Sequence, residues 1–85
     1  DKNISMMLKT IKPLISTIIF TKSRHEKATK PQQLLKIFKR INKDKFIKTK
    51  IIINPKNALN YAKKIASKKD LVVVVGSIYV VGEVM

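Results

Sequence analysis

The feature that most constrains the fold is the run Leu71 to Val75, in which every residue is apolar. Successive side chains of a strand point to opposite faces of a sheet, so a strand with one exposed face alternates apolar and polar residues. A run that is apolar at every position is typical of a strand buried on both faces, as in parallel sheets covered by helices. Gly76 and Ser77 follow the run, and they predict a turn there.

Two more strands are predicted from β-branched and apolar segments, at residues 15–21 and 48–53. Segments with helical spacing separate them, so strands and amphipathic helices alternate along the chain. This alternation predicts an α/β fold of three layers, αβα, with a mainly parallel sheet and right-handed crossovers. Because the chain has 85 residues and no evident linker, we expect a single small domain over residues 1–85.

Capping residues and prolines predict where the three helices begin and end. Asn3 is the expected cap of the first helix, which Pro13 ends, and Pro31 is the expected first residue of the second helix. Asn54 and Pro55 predict the start of the third helix. The apolar stripes expected to face the sheet are Ile4, Met7, Leu8 and Ile11; Leu34, Leu35, Phe38 and Ile41; and Ala58, Leu59, Ala62, Ile65 and Ala66.

The last segment, residues 77–85, is ambiguous between a strand and a helix. Its valine content favours a strand, whereas Ser77 after Gly76 is a good helix cap and an αβα alternation requires a helix. The αβα alternation favours a helix, and a helix over residues 77–85 is therefore predicted.

The net charge of +14 is the composition feature that most suggests nucleic acid as a partner. However, only Arg24 and Arg40 of the 19 basic residues are arginine, and the lysines are scattered over every segment. Aromatic residues do not interleave with them, as a base-stacking surface would require. Composition therefore favours a solvated lysine-rich surface over a nucleic-acid site.

Cysteine chemistry is excluded because the chain has no cysteine, and the lone His25 is expected to be an exposed loop residue. No apolar segment approaches the length of a membrane span, and no signal peptide is recognisable. We therefore expect a cytoplasmic protein with no membrane partner and no metal site built by this chain.

Ligands of open parallel sheets bind beyond the carboxyl ends of the strands. Three loops are expected there: residues 21–30, 54–56 and 76–77. In these loops Ser77 offers a hydroxyl for a carboxylate or phosphate, and Lys27 is the candidate for facing an anion. No pair of carboxylates, nucleophile–base pair or Gly-rich phosphate loop is evident, so the chain alone is expected to be inactive.

Four blocks of the sequence, in order, resemble motifs of one enzyme family. Residues 1–8 resemble its D-K-D-hydrophobic-x-x-M-L helix start, and residues 13–21 resemble its P-L/I-x-x-hydrophobic-I-F-T strand. Lys27, Ala28, Pro31 and Leu34 align with P-R-A-x-x-P-x-x-L, and residues 70–84 are similar to D-x-hydrophobic-V-T-G-S-L-Y-L-V-G-E-V. The chain thus resembles the C-terminal domain of the folylpolyglutamate synthase/dihydrofolate synthase family, within the Mur ligase superfamily.

The resemblance implies an ATP-dependent ligase of folate biosynthesis and one-carbon metabolism. It activates a folate-type carboxylate as an acyl phosphate, which the amino group of L-glutamate then attacks. ATP and Mg²⁺ would be bound mainly by a central ATPase domain that precedes this chain, so the chain is expected to be a piece of a longer enzyme. The resemblance implies that Ser77 lies near the glutamate and that Asp1 and Lys2 lie near the nucleotide.

Departures from the family pattern leave other interpretations open. Lys27 replaces an arginine, which keeps the charge but loses the planar fork, and Lys30 replaces an acidic helix cap. Another Mur-type ligase, such as one of cell-wall peptide synthesis, is one alternative. A small basic nucleic-acid-binding module and a Mur-like domain kept only for protein interaction are the others.

Overall fold

The computed structural model describes residues 2–23, 29–42, 47–66, 71–76 and 79–82, and it describes side chains from residue 5 to residue 76 of these ranges. The elements of these residues are listed here in chain order. They are α1 (Lys2–Ile11), a 3₁₀ turn (Lys12–Leu14), β1 (Thr17–Phe20), α2 (Pro31–Ile41), β2 (Lys48–Ile51), α3 (Pro55–Ile65), β3 (Leu71–Val75) and β4 (Tyr79–Gly82).

The strands form a mainly parallel sheet with the order β2-β1-β3-β4. The central strand β1 pairs in parallel with β2 on one side and with β3 on the other, so Thr17 lies between Lys48 and Val72. The last strand, β4, is antiparallel to β3. The predicted α/β fold with parallel strands is therefore confirmed, whereas its Mur-ligase identity stays a prediction.

Helices cover both faces of the sheet, as the apolar runs of β1 and β3 require. Ile18 and Phe20 of β1 are buried with Leu8 of α1 and with Leu34 and Phe38 of α2. The rings of Phe20 and Phe38 pack with their centroids 5.9 Å apart. Ile19 of β1 and Val72 and Val74 of β3 point the other way. They form a second core with Ala58 and Ala62 of α3.

The connection from β1 to β2 carries α2 on one face, and the connection from β2 to β3 carries α3 on the other. Because the chain also reverses its direction across the sheet between these two connections, both crossovers have the same hand.

Four predicted helix boundaries can be compared with the structure. Pro31 and Pro55 are the first residues of α2 and α3, as predicted, and α1 ends before the turn that contains Pro13. The prediction of Asn3 as the cap of the first helix is wrong, because α1 already begins at Lys2. No helix among the described residues has the length and apolar character needed to cross a membrane.

The prediction of a helix over residues 77–85 is wrong where the structure describes this segment, since residues 79–82 form β4. Tyr79, Val80 and Val81 are residues that favour strands. The edge of β3 offers them backbone hydrogen-bond partners, with Val80 opposite Val73 and Val81 opposite Val72. Pairing with an existing strand therefore outweighs the capping signal of Ser77.

Candidate functional site

The carboxyl ends of the two central strands, β1 and β3, lie side by side. The chain leaves β1 toward β2 on one side and leaves β3 toward β4 on the other. In open α/β sheets ligands bind beyond the carboxyl ends of the strands, at a point where neighbouring connections leave in different directions. We call this place the switch point, and we define it by Thr21 after β1 and Gly76 after β3.

Thr21 joins the carboxyl ends of all three parallel strands. Its backbone N–H donates to the carbonyl of Val75 at 2.8 Å, and its Oγ1 donates to the carbonyl of Ile53 at 2.9 Å. The N–H of Lys22 donates to the same Ile53 carbonyl at 3.1 Å. Since Thr21 is fully buried, these bonds are sheltered from water and hold this edge of the sheet together.

Gly76 lies directly against Thr21, and no side chain would fit at its position. Its φ of +137° is a conformation that residues with a Cβ rarely adopt. A Cβ at this position would lie 2.3 Å from the carbonyl oxygen of Thr21. The candidate residue Ser77 is the next residue in the sequence after Gly76.

The amino ends of the helices lie at this same edge of the sheet. Lys12 Nζ, just after α1, is 3.4 Å from the carbonyl of Ile41 at the end of α2, so the carboxyl ends of these two helices lie side by side. Both helices pack on one face, and α2 runs opposite to the parallel strands that it connects. Lys2 is therefore at the end of α1 nearer to the carboxyl edge of the sheet.

Most of the side chains predicted for the site cannot be compared with the structure. Ser77, Asp1 and Lys27 lie outside the described residues, as does His25, and of Lys2 only the backbone is described. In the loop at residues 54–56, the Asn54 side chain accepts a hydrogen bond from the Asn57 N–H at 3.1 Å. That oxygen caps α3, so it serves the helix and not a ligand.

The described residues do not fit a magnesium site. Mg²⁺ is bound through carboxylates and other oxygen ligands. The acidic residues of the chain, Asp1, Glu26, Asp44, Asp70 and Glu83, all fall outside the described ranges. Within those ranges no group of side chains could hold a metal ion. The predicted Mg²⁺ is therefore given no ligands from these residues.

Two features of the structure were missed by the sequence analysis. The first is the buried hydroxyl of Thr21, which the sequence analysis treats only as part of a strand. Its partner, the Ile53 carbonyl, lies 32 residues further along the chain, so no local pattern indicates the bond. The second feature is a groove of about 640 Å³ between β2 and α3, which is lined in part by Lys48, Lys50 and Tyr61. The groove lies toward the amino ends of the strands, away from the switch point.

No protein-family model, no curated protein and no solved structure matches this chain.

Proposed function

We propose that this chain is part of the C-terminal domain of an ATP-dependent ligase that joins L-glutamate to dihydropteroate or folate. In this role the chain binds the incoming glutamate and closes the active site, while a central ATPase domain of the same protein carries out the phosphoryl chemistry. The ordered resemblance of the four sequence blocks motivates the substrate assignment. The geometry of the switch point is the observation that supports the location of the site.

The switch point supports this role because the backbone is held at the carboxyl ends of the strands directly before Ser77 in the sequence. Gly76 is adjacent to the Thr21 carbonyl, and Thr21 is fixed by hydrogen bonds to Val75 and Ile53. In the proposal the next residue, Ser77, donates a hydrogen bond from its hydroxyl to a carboxylate of glutamate.

The strand at residues 79–82 changes how Ser77 would act. A helix that began at Ser77 would have supplied free backbone N–H groups for the same carboxylate. Because the chain enters β4 by Tyr79, the proposal assigns no role to helix amides. The hydroxyl of Ser77 is then the contact to test.

The test is glutamate-dependent ATP hydrolysis by the full-length protein, with dihydropteroate or tetrahydrofolate as acceptor and Ser77→Ala beside the wild type. A hydrogen bond to a charged group contributes about 1.5–3 kcal/mol, so we expect the KM for glutamate to rise by roughly tenfold or more. The KM for ATP should stay unchanged.

Ser16→Ala is the matched control, because Ser16 lies at the amino end of β1 and its Oγ donates to the carbonyl of Leu71 at 3.3 Å. It removes the same hydroxyl at the opposite edge of the sheet and should leave the KM for glutamate unaltered. Turnover without an effect of Ser77→Ala would remove the role of Ser77. Absence of turnover with both acceptors would remove the folate assignment, and other carboxylate acceptors would be tested next.

A further inference from the structure

The groove between β2 and α3 has a floor of basic and polar side chains. Lys48 pairs with Thr17 and Lys50 pairs with Ile19 across the parallel ladder, so these residues point to one face of the sheet. Ile19 is buried against α3, which identifies this as the face that α3 covers. Tyr61 and Ile65 of α3 form the opposite wall of the groove. We call this feature the basic groove.

Lys50 is held in place within the basic groove. Its Nζ lies 4.3 Å from the centroid of the Tyr61 ring, which is a cation–π contact. This contact already restricts the Lys50 side chain, so less conformational entropy remains to be lost when an anion binds. The ammonium group can still donate hydrogen bonds away from the ring. Lys50 is therefore better prepared to meet an anion than a freely moving surface lysine.

The backbone of β2 next to the groove has one open side. The Lys48 N–H donates to the carbonyl of Ser16 and the Ile52 N–H to the carbonyl of Phe20, each at 3.0 Å. In a parallel ladder the N–H and C=O of one residue point to the same side, and neighbouring residues point to opposite sides. Thr49 and Ile51 therefore direct their backbone groups outward, where the described residues supply no further strand.

Charge decides what can pair with this open side. A second copy of the chain that paired through its own β2 would place Lys48 and Lys50 beside the same lysines, and like charges on adjacent strands repel. An acidic strand would instead place its carboxylates beside both lysines. On the other face, Ile51 packs at the margin of the core against α1 and α2, so an apolar side chain of the added strand would fit there.

We propose that the basic groove and the open side of β2 bind an extended acidic segment of a partner protein, which adds a strand beside Thr49 and Ile51. Its acidic residues lie on the α3 face next to Lys48 and Lys50, and its apolar residues alternate with them on the other face. Backbone hydrogen bonds supply affinity and the alternating side chains supply specificity, as in other cases of strand addition. This binding surface is separate from the switch point and does not depend on the ligase proposal.

The test is a titration of the chain with a fluorescently labelled, end-capped peptide in which glutamate alternates with valine. Hydrogen exchange followed by NMR should show the amides of Thr49 and Ile51 becoming protected on binding, while those of Lys48 and Lys50 change little. Lys50→Glu should weaken binding by roughly fivefold or more, since it turns an attraction into a repulsion. Lys36→Glu, an exposed site on α2, makes the same change in net charge and should alter binding by less than about twofold.

Variants of Tyr61 and of the peptide keep the test independent of any folding defect in Lys50→Glu. Tyr61→Phe retains the ring and should bind as the wild type does, whereas Tyr61→Leu should weaken binding. A peptide N-methylated at its ladder positions should not bind to the unaltered protein. Equal losses for Lys36→Glu and Lys50→Glu, or equal binding of the N-methylated peptide or of a single-stranded oligonucleotide, would overturn the proposal in favour of non-specific attraction to polyanions.

Discussion

At the scale of single residues, Thr21 and Gly76 determine the geometry of the switch point. Thr21 is buried and forms hydrogen bonds with both its backbone and its hydroxyl. Gly76 is required because the Thr21 carbonyl occupies the place that a Cβ would take. The Ile53 carbonyl accepts from both Thr21 Oγ1 and the Lys22 N–H, so it keeps one donor if the hydroxyl is removed. The close backbone contact between Gly76 and Thr21 is therefore more critical than the hydrogen bond from Thr21 Oγ1 to Ile53.

Gly76→Ala should lower the free energy of unfolding by about 2 kcal/mol or more, because it combines a strained φ with a clash against backbone. Urea denaturation followed by circular dichroism measures this loss. Thr21→Ser, which removes only the methyl group, is the control variant. Adding it to Gly76→Ala should not restore stability, since the nearest atom to the new Cβ is the Thr21 carbonyl oxygen at 2.3 Å. Recovery of stability in the double variant would show that the methyl group causes the clash.

At the scale of elements, α2 and α3 begin in different ways although both have proline as their first residue. Asn54 accepts a hydrogen bond from the Asn57 N–H and so caps α3. Lys30 holds the corresponding position before α2, and an ammonium group cannot accept a hydrogen bond. It also places a positive charge at the positive end of the helix dipole. The start of α2 is thus a site where stability can be gained.

Lys30→Asp should raise the free energy of unfolding by about 1 kcal/mol, because aspartate both caps the helix and opposes its dipole. Chemical denaturation of the variant and the wild type measures the difference. Lys36→Asp makes the same change in charge within α2 but cannot cap the helix. It should give no gain, since aspartate is a poorer helix former than lysine. A similar gain in both variants would indicate general relief of charge repulsion instead of capping.

The elements that the sequence predicted well are those with local signals. Pro31, Asn54 and Pro55 determine helix starts within one turn, and the apolar run Leu71–Val75 determines a buried strand by itself. The segment at 79–82 was mispredicted because its strand depends on pairing with β3, which is a tertiary contact. The meeting of Lys50 with Tyr61 likewise joins two elements, and no short spacing in the sequence indicates it. Of the candidate site, only its location at a carboxyl edge could be predicted.

At the scale of the whole molecule, positive charge dominates. The net charge is +14, and the described surface carries lysines on both helical faces and on β2. Two like charges about 10 Å apart in water repel by about 0.4 kcal/mol before screening by salt. Folding brings many such pairs together, so self-repulsion opposes the compact state.

Raising the ionic strength from about 0.01 M to about 0.15 M should therefore raise the Tm of the chain, because the Debye length falls from about 30 Å to about 8 Å. Differential scanning calorimetry in sodium chloride measures the change. Sodium chloride is chosen over sulfate because sulfate also strengthens burial of apolar surface. A constant or falling Tm would show that pairs of opposite charge outweigh the repulsion.

The small side chains of α3 have a consequence for the exterior of the molecule. Ala58 and Ala62 are fully buried between α3 and the sheet, so they set how closely the axis of α3 approaches β1 and β3. The same axis carries Tyr61, the aromatic wall that faces Lys50. A larger residue at either alanine would push the helix outward and move that ring away from the lysine. The methyl groups of Ala58 and Ala62 therefore set the width of the basic groove. Substitutions at these two buried positions would change which ligands the groove accepts, although every exposed residue stays the same.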